Sequence, residues 1–380
     1  MISYLSLINR FASNQHFRLE ESFWQRIHLD GKLFVSILFL LLISLAILYS
    51  GSNQNVSMVL GQGTKFIFAI LGMIVLAQIP PHTYRTLAPW LFGLTLVLLV
   101  AVMLVGQTSQ GAKRWLGVGA IRFQPSEIMK LALPLVLAWY FQTKKIPPKF
   151  LDLILPAIML VIPFLLIAKQ PDLGTALLIL FSSATVFLLI GMSWRLILGL
   201  FVLIVASMPI IWHLLHDYQK ERVLTFLNPE RDPLGSGYHI IQSKIAIGSG
   251  GFFGKGFLHG SQAHLAFLPE HATDFIFAVC GEELGFLGAF ILIFIYFFIT
   301  ARCLYIASQA QDTFGRLVAG SLAVSFFLGV FINIGMVCGL LPVVGLPLPM
   351  VSYGGTAAIT SLASFGILMS IHTHRKLIAS

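Results

Sequence analysis

Ten runs of nearly uninterrupted apolar residues, at about 33–49, 58–79, 87–105, 127–141, 151–168, 175–193, 195–212, 275–301, 317–341 and 353–372, constrain this chain more than any other feature. Roughly 17–25 apolar residues in a helix cross the hydrocarbon core of a bilayer, and most of these runs have that length. Inside lipid every main-chain N–H and C=O needs a partner from the protein, which leaves the helix or the closed barrel. Barrel strands alternate apolar with polar residues, and these runs are continuous. The fold expected is an all-α polytopic membrane protein with ten transmembrane helices. The run after Pro125 is short and the one holding Pro156 and Pro163 is broken by proline, so both are expected to tilt or to lean on their neighbours.

Charge sets the topology. Only 10% of the 380 residues are charged, against about a quarter in soluble domains. With the N-terminus in the cytoplasm, the inner loop ends collect Arg85, Lys144, Lys145, Lys149, Arg195, Arg302 and Arg316, with Arg10, Arg18, Arg26 and Lys32 before the first run and Arg375 and Lys376 after the last. The outer short loops hold fewer cations: Lys65, Lys113, Arg114, Arg122 and Lys169, with Lys130 just inside a helix. This asymmetry predicts both termini in the cytoplasm, and in a bacterium it turns the long 213–274 loop, between helices 7 and 8, to the periplasmic side of the inner membrane. Residues 1–32 are polar, show no cleavable signal, and form a cytoplasmic arm that is either an amphipathic segment or a loose tail. The net charge of +9 is spread over loop ends, which fits lipid headgroups and not nucleic acid.

Cys280, Cys303 and Cys338 lie in or beside apolar runs without CxxC spacing and read as small core residues. His259, His264 and His271 share the long loop with Glu270 and Asp274, but their spacing matches no usual zinc pattern. The glycine-rich GSGGFFGKG at 248–256 fails as a phosphate loop, because Gly256 follows Lys255 where Ser or Thr is needed. A softer reading leaves it a backbone nest for an anionic headgroup. The preceding YHIIQSKIAIG predicts an amphipathic or re-entrant helix over the bundle.

Three stretches carry ionisable groups where they are costly. In 111–130, Pro125 suits the first helical position, Glu127 falls in the first turn, and Lys130 three residues on shares its face. That pair reads equally as an interfacial anchor or as part of a site. In KQPDLGT, Asp172 is placed to cap the helix that follows. In LPEHATDF, Asp274 stands where the polar loop meets a hydrophobic run, either as a charge on a helix dipole or as a general base. Glu282 and Glu283, about two turns deeper, read as buried partners of a Lys or Arg. The Pro- and Gly-rich stretch 333–357 breaks an apolar region and reads as a structural lip around a site.

Across nearly the whole chain, QPSEIMK, KQPDLGTALLI, GYHIIQSKIAIGSGG, GKGFLHGSQ, LPEHATDFIFAVCGEELG, NIGMVCGLLPVVGLPLPMVSYGGTA and IHTHRK resemble the SEDS (shape, elongation, division, sporulation) family, its elongation members more than its division members. One departure is His271-Ala272, where relatives often carry Arg-His. The resemblance implies a ten-helix peptidoglycan glycosyltransferase that polymerises lipid II on the outer face of the inner membrane. It implies work with a class B penicillin-binding transpeptidase and other membrane proteins of the elongation complex. It places the essential aspartate on Asp274 and sensitive charged positions on Glu127, Lys130 and Asp172, and it implies a divalent cation, Mg or Mn, whose ligands stay unassigned. Attack of a sugar hydroxyl on a lipid-diphosphate donor needs a base and a stabilised leaving group. Asp274 is the base expected, with Lys113, Arg114, Lys130 or the metal on the diphosphate, and Glu282 in the same cavity. The rival reading is a lipid-precursor flippase.

Overall fold

The computed structural model describes residues 23–109, 112–118, 121–214, 217–231, 235–261 and 271–374. Most of the N-terminal arm, His264, Glu270, Arg375 and Lys376 lie outside the described residues. After a single helical turn, Phe23–Arg26, the helices are α1 (Gly31–Gly51), α2 (Val56–Gln78), α3 (Pro81–Val105), α4 (Pro125–Phe141), α5 (Phe150–Lys169), α6 (Leu173–Leu189), α7 (Trp194–Leu214), α8 (Asp217–Leu227), α9 (Ser236–Gly250), α10 (Ile276–Ser308), α11 (Thr313–Val337) and α12 (Thr356–Thr373). Seven of them, α1, α2, α3, α5, α10, α11 and α12, are long and apolar enough to cross a membrane by length and composition. Of the other three runs read as spans, α4 and α6 have 17 residues each and α7 has 21. Pro156 and Pro163 do not break α5, which is continuous.

Local chemistry sets the helix starts. Asp30, Asn55, Asp172 and Asp312 accept the main-chain N–H of Leu33, Met58, Thr175 and Gly315 in the first turns of α1, α2, α6 and α11. Pro81 and Pro125 open α3 and α4, where a missing N–H costs nothing. Lipid accounts for the outer faces: Trp90 and Leu151 are 78% and 77% exposed, as befits helices whose solvent is hydrocarbon. The core lies where α4, α6, α11 and α12 meet, around Leu133, Ile179, Phe365 and Met336.

Between α3 and α4 the chain forms an antiparallel sheet of β1 (Gln107–Ser109), β2 (Ala112–Val118) and β3 (Ile121–Phe123), which the continuous-helix reading did not anticipate. Alternation along β2 turns consecutive residues to opposite faces, leaving Lys113 exposed while Arg114 is half-buried. At the opposite end of the bundle Asp30 holds three helices together. Arg302 of α10 donates to its carboxylate through Nη2 (2.6 Å) and Nε (3.2 Å), and His372 of α12 lies 3.2 Å away. Burial pushes the Asp30 carboxyl up. Hydrogen bonds from Arg302 and Leu33 N–H, with the Arg302 and His372 charges, more than reverse this and hold it below the ordinary carboxylate range. Beside it the His28 and His374 rings stack with centroids 4.0 Å apart.

α10 is broken at Gly285, whose φ of 65° and ψ of −162° leave the helical region. The glycine-rich loop plugs this break. Lys255 and Gly256 N–H donate to the carbonyls of Glu282 and Glu283 (both 3.0 Å), and Phe286 and Leu287 N–H donate to those of Gly251 and Phe252 (2.9 and 3.1 Å). Helix-end groups that lipid cannot satisfy are thereby paired. The nest reading of 248–256 is corrected by the same geometry, because the amides of Gly254, Lys255 and Gly256 are spent on carbonyls. The helix predicted over YHIIQSKIAIG forms as α9 and packs on α10, Ile247 meeting Gly281.

Candidate active site

The site is organised by the stretch Cys338–Gly355, which has no helical order beyond short turns and carries no charge. Its middle passes the start of α6, Asp274 and the cavity that holds Lys130. Val344 O abuts Gly174, in the first turn of α6 beside Asp172, where a Cβ would come within 2.9 Å. Gly345, at φ 71°, lies under Asp274: a Cβ there would stand 3.6 Å from Oδ2. Leu346, Pro347 and Pro349 then line a cavity with Lys130, Thr360 and Ser361.

Asp274 is positioned through its main chain. Asn333 of α11, fully buried, donates from Nδ2 to the carbonyls of Asp274 (2.8 Å) and Leu346 (2.7 Å), tying the acid to the loop beneath it. Ser352 Oγ donates to Thr273 O (2.5 Å) while accepting from Leu348 N–H (2.7 Å), and Tyr353 N–H donates to Ala272 O (2.9 Å). The three residues 272–274 are thus held by consecutive bonds, and the carboxylate is half-buried.

Two charged pairs complete this end. Lys130 donates to Glu127 Oε1 at 2.6 Å, as the one-face spacing predicts, and Thr360 of α12 donates to Oε2 at 2.8 Å. Asp172 caps α6 and also accepts from Gln124 Nε2 (2.8 Å), with Arg114 Nη1 at 3.8 Å. Arg114 Nη2 donates to Pro171 O, and its buried Nε makes no hydrogen bond among the described residues. The Arg114 side chain remains 25% exposed. Lys113 is solvent-exposed on the other face of β2. Glu282 falls in a different cluster, completely buried and bonded to Lys255 (2.6 Å) and Ser261 (3.0 Å), with Glu283 accepting from Ser50 (2.5 Å). Its geometry is that of the buried partner to a lysine, the alternative its sequence position left open.

The residues reading missed are Asn333, Thr360, Gln124 and Ser352. Asn333 had a signal, a lone amide inside a long apolar run, where an unpaired polar group is expensive. Among the described residues no three His, Cys, Asp or Glu side chains gather at metal distance, and Glu127 and Asp172 already face cations. The described residues do not form a cage for an ion by themselves.

Fold and site define a polytopic helical membrane protein with an acid held over Gly345 and with two carboxylate–cation pairs at the same end, Glu127–Lys130 and Asp172–Arg114. The chain matches the family model FTSW_RODA_SPOVE, described as cell cycle protein, over residues 26–377, and it belongs to that family. It is 50% identical over 361 residues to the peptidoglycan glycosyltransferase MrdB of Escherichia coli K12, covering 95% of this chain and 98% of that protein. The MrdB of Helicobacter pylori is 37% identical over 366 residues, covering 94% and 93%. Among solved structures, a chain of a peptidoglycan synthase complex described as coordinating polymerization and crosslinking superposes with a TM-score of 0.81 at 33% identity, covering 92% of this chain and 99% of that one. The rod shape determining protein RodA of Thermus thermophilus gives 0.70 at 28% identity, covering 91% and 98%.

Proposed function

We propose that this chain is a peptidoglycan glycosyltransferase that polymerises lipid II for cell-wall elongation and rod shape. Half-identity to MrdB over nearly the full length supports the activity. Ten spanning helices, both termini in the cytoplasm and a site on the periplasmic face of the inner membrane follow from counting α4, α6 and α7 as spans and from the cation asymmetry. A class B penicillin-binding transpeptidase is the partner, in line with the synthase complex whose chain this one resembles.

The observation that carries the mechanism is the tether of Asp274: Asn333, Ser352 and Tyr353 hold residues 272–274 against the loop, with the carboxylate over Gly345. Asp274 takes the proton of the attacking sugar hydroxyl as that oxygen bonds to the anomeric carbon of the donor, and the lipid diphosphate leaves with the electron pair. Arg114 and Lys130 stabilise the departing charge. Glu127 and Asp172 orient these cations, since each carboxylate also bonds a neutral group, Thr360 or Gln124, that fixes its direction. A divalent ion, where one takes part, would have to find most of its ligands on the substrate phosphates.

The test is lipid II polymerisation by the purified protein with its transpeptidase, comparing wild type with Asp274→Asn. The isosteric amide cannot accept the proton, so strand formation should cease; strands made at the wild-type rate would refute the assignment. The break in α10 is also a transporter feature and favours a second reading, a lipid-precursor flippase. Reconstitution with lipid II separates the two, because a flippase moves the lipid across the membrane without forming strands.

A further inference from the structure

α2 presents Gln62 and Lys65, three residues apart and so on one face, to the far end of the same loop. Gln62 pairs with Gly354 in both directions, Nε2 donating to its carbonyl and Oε1 accepting its N–H, each at 3.3 Å. The Lys65 stem runs along Gly355, where a Cβ would meet Lys65 Cδ at 3.2 Å, and its ammonium stands 4.1 Å from the centre of the Tyr353 ring. Tyr353 is the residue whose N–H holds Ala272, two positions before Asp274.

Lys130, Arg114 and Lys255 each face a carboxylate, and among the described residues Lys65 has no ion-pair partner. A half-buried lysine on a membrane helix loses part of its hydration, and the Tyr353 ring face returns only some of it. A charge kept at that cost, beside the loop that tethers the acid, fits an anion supplied from outside. The first two turns of α12 lie between the two lysines: Gly355 touches Lys65 on the α2 side, and Thr360 bonds the carboxylate that holds Lys130 on the α4 side. Glycan polymerisation joins two lipid-linked substrates, each with its own diphosphate, so two anion positions are needed around one acid.

We propose that Lys65 is a substrate-contacting residue that binds diphosphate oxygens of one of the two lipid-linked substrates, on the flank of α12 opposite Lys130. This rests on the reading of Asp274 as the reacting centre. Lys65→Met keeps an unbranched stem along Gly355 and removes the charge, and Lys65→Arg restores it.

In the reconstituted complex, one lipid-linked substrate is varied at saturating concentration of the other: first monomeric lipid II against a preformed lipid-linked oligomer, then the reverse. Loss of one charge-assisted phosphate contact should raise one of the two KM values about tenfold, with kcat within about twofold, and should flatten the rise of that KM with salt. Lys65→Arg should return it to within about threefold of wild type. Whichever KM moves tells whether the donor or the acceptor diphosphate is held. Unchanged KM values in Lys65→Met, an arginine variant no better than methionine, or a fall in kcat alone would overturn the proposal, the last revealing a clamp on the loop. If Lys65→Met does not survive purification, Lys65→Gln and the salt dependence of the wild-type KM carry the same decision. Asp274→Asn is run in parallel. Retained turnover in that variant defeats the reading of the centre, whereas a dead Asp274→Asn beside a silent Lys65→Met defeats the lysine proposal alone.

Discussion

Asn333→Ala isolates the tether of the acid. The side chain is fully buried and its Nδ2 makes two bonds, 2.8 Å to Asp274 O and 2.7 Å to Leu346 O. A net contribution of about 1 kcal/mol per bond makes the tether worth about 2 kcal/mol, and the carbonyls left behind in a buried setting pull the true figure upward. If that energy holds Asp274 in its working position, its loss lowers turnover by roughly 30-fold, at 1.36 kcal/mol per tenfold. The assay is steady-state polymerisation by the reconstituted complex, with kcat and KM separated, because an acid out of place should lower kcat and spare substrate binding. Asn333→Asp is the informative companion: it keeps the volume, lacks the paired donor, and should fall with the alanine variant. Turnover within about twofold of wild type in both variants would refute the tether, since two buried bonds cannot be lost at no cost if the acid depends on them.

Two further outcomes follow from the fold. Gly285→Ala puts a Cβ 2.2 Å from Gly254 N at a φ of 65°, so the plug in α10 should be expelled and thermal stability in detergent should fall by several degrees or expression should fail; a variant melting like wild type would mean the break closes without the loop. His374 is held below the ordinary imidazole value by burial first, with the His28 and His82 charges adding to it against a hydrogen bond to Ser370. Because the folded state binds its proton less readily than the unfolded one, the stability it contributes is complete above about pH 6.5 and is lost as pH falls through the lower folded value. The melting temperature should therefore drop between pH 7.5 and 5.5, and His374→Gln should show a smaller drop; equal drops would remove His374 as the cause.

How much of the site was legible depends on distance along the chain. Glu127 and Lys130 share a helix face by spacing alone, Asp172 caps the helix it precedes, and Pro125 opens α4, all because the partner lies within a turn. Arg114 was expected on a loop and stands on β2, since short strands acquire their pairing from neighbours and not from propensity. Glu282 was expected with the substrate and lies under Lys255, because the direction of a buried carboxylate is decided by whichever cation packing delivers.

From the chain read by itself came the membrane class, the apolar runs, the starts of α4 and α6 and the motifs that carry the family resemblance, since hydropathy sorts each segment between lipid and water without regard to its neighbours. Tertiary structure alone decided that Asn333 meets Asp274, that Thr360 meets Glu127, that Gln124 meets Asp172 and that a glycine loop fills the gap in α10. Once apolar helices are in lipid, one is as good a neighbour as another in hydrophobic energy. The polar groups left inside must each find a partner, and those partners arrive from remote parts of the chain.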